Sequence, residues 1–332
     1  MENQQYLLSI DNGTQSVRAM IFNSQGLLLA KSKIDIEPYF SSQNGWAEQH
    51  ADYFWEKLCL ACQTLWRENS IDKQAIAAVS VTTQRATVVT MDKNHQPLRP
   101  AISWLDQRQV DSKPILGVLE SALMALVRAK PLVDLMHQQS EANWLEQNEP
   151  ELWKQVSKFL LLSGYHNYKL TGEYKDSIAS TVGFVPFDYK TQQWAKKNDW
   201  KWRAMPITHG MLPEVLPAGS KLGKITATAA IETGIPEGLT LIASGSDKAC
   251  EVLGTGCTDA HTGSLSYGSL ATINIASDKY LEAIPFYPAY PGVVPGTFNV
   301  EMMVQRGYWM VSWFKQEFGL HETQKGSQQK VS

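Results

Sequence analysis

Asp11-Asn12-Gly13-Thr14 brings a carboxylate, a glycine and a hydroxyl together between two apolar runs, Tyr6–Ile10 and Val17–Phe22. Asn-Gly in that setting predicts a tight hairpin. The bare N–H groups of a glycine turn can approach a phosphate, and a carboxylate beside them can hold Mg2+ through its waters. Alone, the segment reads first as an ordinary hairpin with a polar tip. Asp247 follows a buried strand and a Gly245-Ser246 turn and opens a helix. Ligands bind at the carboxyl ends of strands in α/β sheets. A helix cap or first-turn acid is an equal reading of the same residue. Gly268-Ser269 is a second hydroxyl-bearing turn between strands, fit for a phosphate or simply another hairpin. Trp104-Leu105-Asp106-Gln107-Arg108 groups a ring, a carboxylate and a guanidinium, a set suited to a polyol. The bland alternative is a core tryptophan with a surface ion pair. Gln84-Arg85 ends a strand and can reach the same cleft.

Other motifs fail on inspection. Gly219-Ser220-Lys221-Leu222-Gly223-Lys224 is one spacer short of a Walker loop, and Ile225 stands where Ser or Thr is needed. Gly254-Thr255-Gly256 lacks the third glycine of a dinucleotide fingerprint, because Asp259 takes its position. Cys59 and Cys62 form a C-x-x-C, but Phe54, Leu58, Cys62 and Leu65 recur at helical spacing. The pair therefore reads as small buried residues on one helix face, not as a metal or redox site. A reducing, cytoplasmic compartment is the default expectation.

The elements that must position these groups follow from periodicity. Strands are predicted over 6–10, 16–22 and 27–34, then a helix from Asp52 to Glu68, then a buried strand from Ala75 to Thr82. Ala86–Met91 is a further strand, while Ser112–Trp153 and Ser157–Leu170 read as mostly helical. An amphipathic helix ends at Gly234, and Leu239–Ala243 is a buried strand leading to Asp247. Further strands lie near Ser264–Tyr267 and Ala271–Ile275. Pro285–Gly296 reads as an irregular loop, and Glu301–Phe318 as helical at its end. The order implies a mixed α/β sheet with a meander at its start. The chain has 332 residues, 43% hydrophobic and 19% charged, with a net charge of −3. That length is a prior for two domains, and the charge argues against a nucleic-acid surface. Neither a signal peptide nor a membrane-spanning run is expected.

Taken in order, the features resemble the FGGY family of carbohydrate kinases over nearly all of residues 5–320. Asp11 through Arg18 is similar to the family's first phosphate hairpin, and Gly45-Trp46-Ala47-Glu48-Gln49 to its Gly-Trp-x-Glu element. Leu170-Thr171-Gly172-Glu173, Asp176 and Ala179-Ser180 resemble its Leu-Thr-Gly segment. Leu212-Pro213-Glu214, Gly223 and Gly234 then lead into Gly245-Ser246-Asp247 and Leu253-Gly254.

The resemblance implies an α/β actin-like ATPase (ribonuclease H-like) fold in two domains, 1–256 for sugar binding and catalysis and 257–332 as part of a second. It implies ATP-dependent phosphorylation of a sugar or polyol, with Asp247 as catalytic base and substrate ligand. Asp11 is then the acid near Mg2+. Gly13, Thr14, Ser16 and Arg18 form the phosphate hairpin, Gly268 and Ser269 the second phosphate turn. Gln84, Arg85, Trp104 and Asp106 line the sugar pocket. The partner is a small-molecule carbohydrate, not nucleic acid or membrane, and a homodimer is left open.

Departures narrow the substrate. Glycerol kinases carry Arg-Glu at Arg85-Ala86, and xylulokinases typically Met-His at Gln84-Arg85. Ala142 holds a position where the family signature has Lys. Nothing after Phe318 resembles the family's glycine-rich adenosine motif, so the second domain is expected to be truncated, with apolar surface exposed at Trp309, Trp313 and Phe314. A non-catalytic sugar-binding remnant is the alternative reading, and an actin-like structural ATPase a weaker third.

Overall fold

The apolar runs at the start of the chain build an antiparallel meander, β1 (Tyr6–Asn12), β2 (Ser16–Asn23) and β3 (Leu28–Asp35). The structure is a computed structural model that describes residues 5–111, 117, 124–126, 130–267, 271–304 and 309–319. Leu8, Ile10, Val17, Ala19 and Ile21 alternate with less buried neighbours and are at most 1% exposed. One buried face thus fixes the strand register. The helix Ala51–Glu68 covers that face with Phe54, Leu58, Ala61, Cys62 and Leu65, so the C-x-x-C pair lies in the core as expected. Burial pushes the Cys59 thiol up to about 12 and raises that of Cys62 as well.

A second sheet holds β4 (Glu48–Gln49), β6 (Val88–Met91), β7 (Ala101–Ile102) and β8 (Lys158–Leu161), in the order β4-β7-β6-β8. The first sheet is completed by β5 (Ile76–Thr83), β13 (Lys221–Lys224) and β14 (Thr240–Ile242), in the order β13-β14-β5-β1-β2-β3. Two short ribbons pair β9 (Lys175–Ser177) with β12 (Glu214–Leu216) and β10 (Phe187–Asp188) with β11 (Gln193–Trp194). A separate antiparallel sheet near the C-terminus contains β15 (Gly263–Tyr267), β16 (Ala271–Ser277), β17 (Tyr290–Pro291) and β18 (Phe298–Val304).

Several expectations change. Asn12-Gly13 is not a two-residue turn: Asn12 pairs with Val17, and the Gly13 N–H donates to the Ser16 carbonyl at 3.1 Å. Lys158–Leu161, read as the start of a helix, is a strand against β6; the helix begins at Leu162 and runs to Thr171. A four-residue apolar run carries no period of its own, and pairing decides it. Glu301–Phe318 is helical at its end, as expected, with the helix Trp309–Phe318 preceded by the strand Phe298–Val304. Of the expected 112–153 helices, Lys130–Gln139, Glu141–Asn148 and Pro150–Trp153 are seen, and much of the remainder lies outside the described residues. Trp313 and Phe314 are 46% and 59% exposed, as expected, whereas the Trp309 side chain lies outside the described residues. Among the described residues, no helix is long and apolar enough to cross a membrane.

Candidate active site

Three parallel strands set the site. β1 and β14 both run parallel to β5, so their carboxyl ends open on one edge of the first sheet. That edge is where α/β sheets take ligands. It presents Asp11 on β1, Gln84 and Arg85 just past β5, and Asp247 shortly past β14. Asp11 is in register with Thr82, and the Thr82 hydroxyl donates to the Gly245 carbonyl at 2.7 Å. Asp11 and Asp247 thus lie at one edge of the sheet, and the charge on Asp11 adds to the proton affinity of Asp247.

Asp247 opens the helix Asp247–Gly254, but it is not the cap: Ser246 is, its hydroxyl accepting from the Ala249 N–H. Asp247 Oδ1 accepts from the Lys248 N–H at 2.8 Å. Burial raises its carboxyl pKa, against the lowering fields of Arg85 and Lys248. The turn that aims it is tightly built. A Cβ on Gly245 would come within 2.7 Å of Val293 and 3.2 Å of Ala249. The Ser246 N–H donates to the Ala179 carbonyl at 3.0 Å, and the Ser177 hydroxyl donates to the Ser244 carbonyl. Asp176 anchors this support, accepting from the Ser163 hydroxyl at 2.6 Å and the Ser177 N–H at 2.7 Å.

At the hairpin, Asp11 Oδ2 accepts from Arg18 Nη1 at 2.8 Å, with side chains 19% and 41% exposed. Burial raises the Asp11 pKa and Arg18 lowers it. Gly13 and Thr14 are half-buried at the tip. Ser16 departs from expectation: it is 4% exposed and starts β2, so it sits within the ladder and not at the tip. Asp11 Oδ1 is turned toward Gly13, 3.9 Å from where a Cβ would stand. A single carboxylate oxygen beside a glycine turn suits Mg2+ that keeps most of its waters.

The sugar-side residues divide. Trp104 Nε1 donates to both Thr14 Oγ1 and Gln84 Oε1, at 3.1 Å each, joining the hairpin to the end of β5. Gln84 is 2% exposed, and its Nε2 has no partner among the described residues. A buried donor left open in this way marks a place for a hydroxyl or water. Asp106 is the correction. Its Oδ1 accepts from the Arg108 backbone N–H and from Nε, and its Oδ2 from the Ala47 N–H and Arg108 Nη2, at 2.7–2.9 Å. Those four bonds fill a carboxylate's acceptor sites, so none is left for a sugar hydroxyl. Asp106 instead fixes Arg108, which also pairs with Glu48 at 2.9 Å and stacks 4.0 Å from the Trp46 ring. Gly268 and Ser269 lie outside the described residues.

Sequence reasoning missed two partners. His166 Nε2 lies 2.9 Å from Asn12 Oδ1, and both residues are fully buried. Glu301 pairs with Arg85 at 3.0 Å from β18. A charged residue inside the apolar run Phe298–Val304 was the available signal. Among the described residues there is no cluster of His, Cys, Asp or Glu that could hold a metal by itself.

The model described as "FGGY family of carbohydrate kinases, N-terminal domain" matches residues 6–254. The uncharacterized sugar kinase YgcE of Escherichia coli K12 is 26% identical over 319 residues, 96% of this chain and 57% of the relative. A xylulose kinase of Lactococcus lactis is 25% identical, covering 95% of this chain and 62% of the relative. The crystal structure of xylulose kinase from Rhodospirillum rubrum superposes with a TM-score of 0.80 at 20% identity, over 98% of this chain and 66% of that one. The fold is therefore the actin-like, ribonuclease H-like one. The chain spans 57–62% of the length of these two curated relatives.

Proposed function

The chain belongs to the FGGY family of carbohydrate kinases, and from that premise we propose that it transfers the γ-phosphoryl group of ATP to a hydroxyl of a sugar or polyol. Asp247 accepts the hydroxyl proton as the oxygen bonds to the γ-phosphorus and the bond to ADP breaks. The Gly13–Thr14 turn and Arg18 hold the phosphates, and Gln84, Arg85 and Trp104 orient the carbohydrate. Mg2+, held near Asp11 through water, would offset phosphate charge when bound. Phosphoryl transfer depends on such positioning and charge neutralisation more than on covalent help. Residues 1–256 would act as the sugar-binding and catalytic domain and 257–332 as part of a second. Four free cysteines fit a reducing compartment such as the cytoplasm.

One observation carries the reading: Asp11 and Asp247, far apart in sequence, share the carboxyl edge of β1, β5 and β14. A chain that binds carbohydrate without consuming ATP is the second reading. An ATP-consumption assay across a panel of polyols and ketoses separates them. Turnover with one member, lost in Asp247→Asn while carbohydrate binding is kept, supports the kinase. Binding with no ATP consumption for any member overturns it.

A further inference from the structure

Arg85 leaves the end of β5 and reaches the C-terminal sheet, where its Nη2 donates to Glu301 Oε1 at 3.0 Å. The Glu301 side chain is 2% exposed and that of Arg85 18%, so the pair is desolvated yet open on the arginine side. The guanidinium also lies 5.4 Å from the centre of the Tyr290 ring. Ala86, the next residue, takes a left-handed φ of 50°. That conformation is strained for an alanine, and such strain clusters at functional sites.

Arg85 and Lys248 are the two cations whose fields act most strongly on Asp247. Each already has a carboxylate: Glu301 for Arg85, and Glu251, at 2.8 Å, for Lys248. Arg18 is likewise taken by Asp11. An incoming carboxylate would therefore meet the negative Asp247 with these three cations already compensated. A neutral polyol meets no such repulsion, and it can still use the N–H groups of Arg85 that Glu301 leaves free.

We propose that Glu301 determines specificity: by occupying Arg85 it sets the crevice beside Asp247 for uncharged polyols or ketoses and against sugar acids. The inference rests on the kinase reading of that crevice.

The test is calorimetric binding without ATP, using the full chain and matched ligands, an alditol or ketose against the aldonate of the same carbon number. The wild-type protein should bind the neutral member at least about tenfold more tightly, a difference of about 1.4 kcal/mol. Glu301→Gln releases Arg85 to meet a carboxylate, and should move the ratio about tenfold toward the aldonate. Glu301→Asp, which keeps the charge, should retain the neutral preference. If Glu301→Gln does not fold, the double variant Arg85→Gln with Glu301→Gln buries no lone charge; it should keep the neutral preference, and a gain of aldonate affinity there overturns the proposal. An aldonate bound as tightly as its neutral partner by the wild type, or an unchanged ratio in Glu301→Gln, overturns the proposal and leaves the kinase intact. No binding of any member of either class overturns both.

Discussion

Asn12 and His166 are joined by a 2.9 Å hydrogen bond at the base of the first hairpin, and neither is exposed. The Asn12 amide nitrogen donates to the Gly13 carbonyl, so its Oδ1 must be the acceptor and His166 Nε2 carries the proton. Burial lowers the His166 pKa to about 3, so the ring is neutral in the folded protein.

That neutrality has a pH signature. The unfolded imidazole, with its ordinary value near 6.5, binds a proton that the folded one refuses. Between about pH 6.5 and 3 the unfolded state binds more protons, so stability rises with pH and is lost as pH falls. The slope from this one group is about 1.4 kcal/mol per pH unit. Urea unfolding from pH 7 to 4.5 should show the wild type losing stability more steeply than His166→Gln. Parallel pH profiles would remove His166 from this role.

Asp247 gives a second signature, in rate. Its pKa is raised by burial, and a base works only when deprotonated. The acid limb of kcat/KM should therefore lie above the ordinary aspartate value of about 3.9. An acid limb at or below that value would count against Asp247 as the base.

Gly13→Ala separates folding from phosphate contact. A Cβ there meets the Ser16 carbonyl at 3.6 Å and Asp11 Oδ1 at 3.9 Å, both ordinary contacts, and Gly13 is not among the positive-φ glycines. Thermal stability should change by less than about 0.5 kcal/mol. ATP affinity should fall at least about tenfold, because the methyl blocks close approach to the backbone N–H groups. Unchanged ATP affinity would show that the turn does not touch the nucleotide.

Asp106→Asn tests the reassignment of that residue. Its side chain is 4% exposed against 3% for Arg108, and removing one charge strands the other, though Glu48 still shares it. The loss should be on the order of 3 kcal/mol in urea unfolding, with carbohydrate KM unchanged in the protein that remains folded. A normal unfolding midpoint with a raised KM would return Asp106 to the sugar pocket.

What the sequence revealed follows from the range of each interaction. The meander and the helix Ala51–Glu68 were legible because a strand or helix face is written in residues two to four apart. Asp247 was legible as a strand-end acid for the same local reason. Asp106 was misjudged because its saturation depends partly on the Ala47 N–H, 59 residues away, and no local pattern records that. The Arg85–Glu301 pair spans 216 residues and was invisible for the same cause. Lys158–Leu161 was misread because its partner β6, not its own period, makes it a strand.

The Gln84 N–H donates to the Asn12 carbonyl at 2.9 Å, carrying the β1–β5 ladder past the end of the strands. The floor under the two proposed half-sites is thus a single continuous lattice with no joint between them. Any bending that brings the C-terminal sheet toward Asp247 must be absorbed outside that lattice.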